Sequence, residues 1–111
     1  MSDQTYPKPT RELAEMRRSL GPETEDAFQA FSKAVFAEGA LSSKMKQLIA
    51  VAVAHVTQCP YCIKGHTKAA QRAGATPQEL MEAVWVAAEM RAGGAFAHAT
   101  LMLDTLHPHS E

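Results

Sequence analysis

At three places in the chain, proline directly follows a residue that could begin a helix. These predicted helix starts constrain the fold more than any other feature of the sequence. The pairs are Gly21-Pro22, Cys59-Pro60 and Thr76-Pro77. Proline is favoured at the first position of a helix, because the N–H group that it lacks would have no partner there. Glu79, three residues after Thr76, completes a capping box. The pattern therefore predicts helices, and the chain carries no strand signal.

Composition favours the same fold. Hydrophobic residues make up 46% of the 111 residues and aromatic residues only 6%, so small and aliphatic side chains supply the apolar surface, as in closely packed helices. We predict an all-α fold of about six helices in one domain, residues 1–111, with an extended N-terminal arm at residues 1–9. A chain of this size buries its surface incompletely, so association between copies would stabilise it.

Glycines and apolar runs set the expected helix boundaries. We expect the second helix to run from Pro22 to Gly39, and Gly93-Gly94 to separate a fifth helix from a last one at about residues 95–106. The third helix is apolar on nearly all sides over residues 48–56. We therefore expect protein to surround that helix completely.

Charge and hydropathy argue against two classes of partner. The chain has 11 basic and 12 acidic residues, a formal net charge of -1, and no basic block interleaved with aromatic residues, so we expect no nucleic-acid partner. The longest apolar run, residues 48–54, is too short to span a bilayer, and the N-terminus lacks the order of a signal peptide. We expect a cytoplasmic protein with no membrane partner.

Both cysteines of the chain lie in one short motif. Cys59 and Cys62 are separated by two residues. His66 lies four positions after Cys62, on the same face of the predicted helix. Cys59 at the N-cap and Cys62 in the first turn lie near unpaired N–H groups and the positive end of the helix dipole, which favours the thiolate at both positions. In a reducing compartment such a pair is catalytic or metal-binding more often than structural.

The fifth helix adds two carboxylates on one narrow stripe. Glu82 and Glu89 lie about 20° apart on a helical wheel, so they form either a functional pair or only the hydrated face of the helix. Tyr61, between the cysteines, must line the site, although packing is its simplest role. His98 is most simply a hydrogen-bonded histidine at a helix interface.

Three segments carry a family resemblance: Lys46-Gln47-Leu48-Ile49-Ala50, Gln58-Cys59-Pro60-Tyr61-Cys62 with His66, and Gly74-Ala75-Thr76. They resemble the carboxymuconolactone decarboxylase-like superfamily, in its alkylhydroperoxidase D-like branch. The resemblance covers a core at about residues 41–106 and little of the first forty residues. It implies a helical fold that assembles into a homo-oligomer, either a trimer or a hexamer.

The resemblance also implies a redox activity. Cys62 would attack a hydroperoxide and become a sulfenic acid, Cys59 would resolve it to a disulfide, and His66 would belong to the proton relay. A disulfide is the other possible substrate, and a dithiol donor such as a lipoylated protein would reduce the enzyme. No dissociable cofactor is needed, and no metal is expected.

One residue departs from the family pattern. Gln47 occupies the position of a relay glutamate, and a glutamine can orient a water molecule but cannot accept a proton. Another carboxylate would have to replace it, and the candidates are Glu82, which is slightly favoured, and Glu89.

Three other interpretations stay open on the sequence. Cys59, Cys62 and His66, together with His55, are a possible zinc-binding set. The protein could instead be a decarboxylase acting on a lactone, which would need arginines such as Arg72 and Arg91 to bind an anionic substrate. It could also be a non-catalytic oligomeric protein whose thiols sense oxidants or bind a metal.

Overall fold

The computed structural model of the protein describes residues 6–107, and its regular structure there is entirely helical. The five helices are α1 (Arg11–Leu20), α2 (Pro22–Phe36), α3 (Ser43–Thr57), α4 (Pro60–Arg72) and α5 (Pro77–Leu106). The all-α prediction is confirmed. Residues 6–9 of the predicted arm are exposed and form no helix, and the rest of the arm lies outside the described residues.

The chain divides into two compact units, residues 1–43 and 44–111. The first unit contains α1 and α2. Thr10 caps α1 by accepting the N–H of Leu13 at 3.2 Å, and Arg17 on α1 donates to Glu25 on α2 at 3.2 Å. Neither helix has a buried residue, so polar contacts rather than a core join the two helices.

Helix α2 ends earlier than the sequence predicts, at Phe36 rather than at Gly39. Ala37 takes an extended conformation, and the side chain of Glu38 turns forward to accept the N–H of Ser43 at 3.1 Å. The residues near Gly39 therefore form a turn that satisfies the start of α3 instead of a further turn of α2.

The second unit has a small core shared by α3, α4 and α5. Val51 of α3, Ala70 of α4 and Ala75 of the following turn are buried against each other. The partly buried side chains that pack on them are Leu48, Leu80 and Val84. The capping box at Thr76 is present with both reciprocal hydrogen bonds, and Lys44 pairs with Glu79 at 2.8 Å.

The expectation that protein surrounds α3 is wrong for the single chain. Val51 and Ala54 are buried, but Ile49, Val53 and Val56 are exposed, Val53 to 52% of its surface. Packing on α4 and α5 covers only one side of the helix, because the core is limited to a few small side chains.

The predicted break at Gly93-Gly94 is also wrong, since α5 continues through both glycines. Two glycines cost about 1 kcal/mol each relative to alanine in a helix, which a helix of 30 residues with a strong cap can tolerate. Within residues 6–107, no helix is both long enough and apolar enough to cross a bilayer.

Candidate redox site

A tight turn between α3 and α4 presents the cysteines. Gln58 has a φ of 59°, the left-handed conformation that commonly ends a helix. The N–H of Cys59 then bonds back to the carbonyl of Ala54 at 3.2 Å. This reversal places Cys59 at the N-cap of α4, as predicted, with Pro60 as the first helical residue.

The two sulfur atoms are in direct contact. Both cysteines are free thiols, Cys59 half-buried and Cys62 exposed, and their Sγ atoms lie 2.7 Å apart. The backbone N–H of Cys62 also donates to the Cys59 sulfur, at 3.3 Å. The Cys59 sulfur is therefore the acceptor of that backbone N–H.

This arrangement moves the two pKa values in opposite directions. The pKa of Cys59 is lowered, first by the hydrogen bond from the Cys62 thiol and then by the N–H of Cys62. The pKa of Cys62 is raised, because its proton is held in the bond to Cys59 and because partial burial and the negative charge of Cys59 oppose a second thiolate. The expectation of a favoured thiolate is confirmed at Cys59 and wrong at Cys62.

His66 is hydrogen-bonded to Gln47, the residue that departs from the pattern of the family that the sequence resembles. The Nδ1 atom of His66 on α4 lies 2.8 Å from Oε1 of Gln47 on α3, and both side chains are half-buried. A carbonyl oxygen can only accept, so Nδ1 is the donor in this contact. Gln47 thus orients the imidazole directly.

Of the other predicted residues, Tyr61 alone belongs to the cysteine motif. Glu82 and Glu89 are exposed on α5, and neither forms a hydrogen bond or ion pair with the cysteines or His66 in the described part of the chain. His98 is exposed and donates from Nδ1 to the carbonyl of Gly94 at 2.8 Å. Tyr61 is exposed between the cysteines, as a residue lining the site would be. Catalytic roles for these residues remain predictions.

Arg91 has a position that the sequence did not indicate. Its guanidinium on α5 donates to the carbonyl of Val56 at 2.7 Å, at the end of α3 and just before the turn that carries Cys59. The two residues are 35 positions apart, so no local pattern could reveal the contact. Arg91 stabilises the last turn of α3, where carbonyl groups lack helical partners.

The zinc set suggested by the sequence is not assembled. His55 donates from Nδ1 to the carbonyl of Val51 at 2.8 Å, within its own helix. Among residues 6–107, no group of three or more histidine, cysteine, aspartate or glutamate side chains is placed to hold a metal ion.

Comparisons with known proteins agree with this architecture. A relative from Paracoccus denitrificans, named uncharacterized protein 4 in its cox locus, is 59% identical over 96% of this chain and 95% of its own length. A crystal structure of a Methanobacterium thermoautotrophicum protein has a TM-score of 0.71 at 39% identity and covers 76% of this chain and 94% of that one.

A crystal structure of a carboxymuconolactone decarboxylase family protein from Legionella pneumophila has a TM-score of 0.67 at 36% identity. It covers 80% of this chain and 79% of its own. The model of the carboxymuconolactone decarboxylase family matches residues 22–105. With most of its length matched in this way, the chain belongs to the carboxymuconolactone decarboxylase family.

Proposed function

We propose that the protein is a thiol-dependent peroxidase or disulfide reductase that cycles Cys59 and Cys62 between dithiol and disulfide. The observation that carries the proposal is the contact of two free thiols, 2.7 Å apart, at the accessible start of a helix. Sulfur atoms this close can join with little backbone movement. A helix N-terminus also favours the thiolate that such chemistry requires.

Cys62 is the proposed attacking residue because it is the exposed member of the pair. Its sulfur contacts the sulfur with the lowered pKa, so Cys59, once ionised, accepts the proton of Cys62 as the reaction begins. The Cys62 thiolate then attacks the terminal oxygen of a hydroperoxide. The O–O bond breaks, Cys62 becomes a sulfenic acid, and the alkoxide leaves as an alcohol after taking up one proton.

Cys59 resolves the sulfenic acid. Once deprotonated again, with His66 as the proposed base, its thiolate attacks the Cys62 sulfur; the S–O bond breaks, and the hydroxide leaves as water after taking up a proton. The product is a Cys59–Cys62 disulfide. A dithiol such as a reduced lipoyl group would restore both thiols by exchange and would itself become a disulfide.

Thiol counting tests the first half of the cycle. Reduced protein, freed of reductant, is treated with one equivalent of organic hydroperoxide, and the remaining thiols are counted by mass spectrometry. We expect loss of both thiols in the wild type, and a sulfenic acid trapped by dimedone on Cys62 in the Cys59→Ser variant. Thiols that survive the treatment would refute the peroxidase assignment.

Turnover separates an enzyme from a protein that only senses oxidants. With excess dihydrolipoamide, an enzyme consumes many equivalents of hydroperoxide per chain, and the Cys62→Ser variant consumes none above background. A wild type that forms one disulfide and is not reduced again by the dithiol would instead be a stoichiometric sensor.

A further inference from the structure

We propose that Gln47 is a positioning residue that holds His66 in the tautomer with its proton on Nδ1, leaving Nε2 as the ring atom that exchanges a proton during thiol oxidation. The catalytic part of this inference rests on the proposed function. The tautomer does not depend on activity and can be measured separately.

The contact between Gln47 and His66 is held by the best-packed part of the second unit. Gln47 precedes Val51 by one helical turn, and His66 precedes Ala70 in the same way. Val51 and Ala70 are fully buried in one core cluster, so α3 and α4 are fixed where the two polar side chains meet. The 2.8 Å hydrogen bond therefore acts between two rigid supports.

The amide changes what the histidine can do with a proton. A carboxylate at position 47 could accept both a hydrogen bond and the proton itself, whereas a carboxamide accepts only the hydrogen bond. A proton taken up at Nε2 of His66 cannot pass on to Gln47. The proton is instead returned to the departing alkoxide or hydroxide. In this proposal His66 is therefore the last residue that carries the proton.

Nitrogen NMR of the reduced protein tests the tautomer. At a pH about two units above the usual histidine pKa of about 6.5, long-range proton–nitrogen spectra distinguish a protonated from an unprotonated Nδ1. His55 and His98 donate from Nδ1 to backbone carbonyls and provide internal references. We expect His66, assigned with His66→Asn, to match them.

Three variants define the part played by Gln47. Gln47→Leu removes the acceptor and should shift the tautomer ratio of His66 toward Nε2–H by about fivefold, the factor that an ordinary hydrogen bond supplies. Gln47→Glu retains an acceptor and should keep the Nδ1–H form. Gln71→Leu, the same change at an exposed glutamine of α4, should leave the tautomer unchanged.

The rate of thiol loss tests the catalytic consequence. With organic hydroperoxide, Gln47→Leu should lose its thiols about fivefold more slowly, in step with its tautomer ratio, and Gln71→Leu should match the wild type. A wild-type His66 protonated on Nε2, or a tautomer unaffected by Gln47→Leu, would overturn the inference. A changed tautomer with an unchanged rate would overturn the positioning role. Wild-type thiols that resist hydroperoxide would instead refute the proposed function, while the spectra still decide the tautomer.

Discussion

At the scale of single residues, the contact between Cys59 and Cys62 changes the pKa values of the two thiols in opposite directions. The Cys59 sulfur accepts the N–H of Cys62 and contacts the Cys62 sulfur, and the pKa of Cys59 is lowered while that of Cys62 is raised. Position in the helix predicts the first effect. It does not predict the second, because the spacing of the motif does not fix the rotamers that bring the two sulfur atoms to 2.7 Å.

The pH dependence of alkylation tests this division of roles. In Cys62→Ala, the pKa of Cys59 should rise towards the ordinary cysteine value, because the largest cause of its lowering is lost. In Cys59→Ala, the pKa of Cys62 should fall, because the acceptor that holds its proton is gone. Rates of reaction with iodoacetamide, followed across pH by mass spectrometry, report each value. An unchanged Cys59 inflection in Cys62→Ala would contradict the assignment.

At the scale of helices, the caps were predictable and the helix ends were less so. The starts at Pro22, Pro60 and Pro77 agree with the structure, since proline and a capping residue act locally. The ends depend on contacts that local sequence does not encode. Helix α2 ends at Phe36 and the side chain of Glu38 accepts the N–H of Ser43 at the start of α3, whereas α5 passes through two glycines that elsewhere would mark a turn.

Replacing Gly93 or Gly94 by alanine should change the stability of the protein. An added methyl group at Gly94 would meet nothing within 4 Å, so Gly94→Ala should raise the free energy of unfolding by about 0.5–1 kcal/mol. At Gly93 the methyl carbon would lie 3.3 Å from Oε2 of Glu89. That side chain must shift, so Gly93→Ala should gain less.

Urea denaturation of both variants measures the effect, with Gly65→Ala in α4 as the control, because it too would meet nothing within 4 Å. A loss of stability in Gly94→Ala but not in Gly65→Ala would contradict the prediction. It would also indicate that another backbone approaches α5 at Gly94.

At the scale of the whole molecule, the chain leaves an unusual amount of apolar surface uncovered. Phe96 is 85% exposed and Trp85 64% exposed, and Met90, Leu101 and Leu106 of the same helix are also largely exposed. Monomeric proteins seldom leave large apolar patches in water. The apolar composition and small size of the chain had indicated from the sequence that copies of it would associate. The partner surface was not predictable, because the apolar residues of α5 are not gathered on one side of the helix and so do not indicate which side meets a neighbour.

We therefore predict a homo-oligomer, a trimer or a hexamer, in which α5 is covered by other copies. Sedimentation velocity should give a mass several times that of the chain. Phe96→Asp should shift the distribution towards monomer, because it would place a charge in the interface, whereas Gln78→Asp at the exposed start of α5 should not. A wild type that sediments as a monomer, or a Phe96→Asp assembly of unchanged size, would contradict the prediction.

In the proposed cycle, the contact between the two sulfur atoms would also set the peroxide concentration that the protein tolerates. Closure of a disulfide within one chain has a rate that does not depend on how much peroxide is present, whereas further oxidation of a sulfenic acid speeds up in proportion to peroxide. The ratio of these rates defines a concentration at which half of the molecules are inactivated in each cycle. Because the two sulfur atoms lie only 2.7 Å apart, we expect that concentration to be high for the proposed cycle, which would suit the protein to surviving bursts of peroxide rather than to signalling them by its own inactivation.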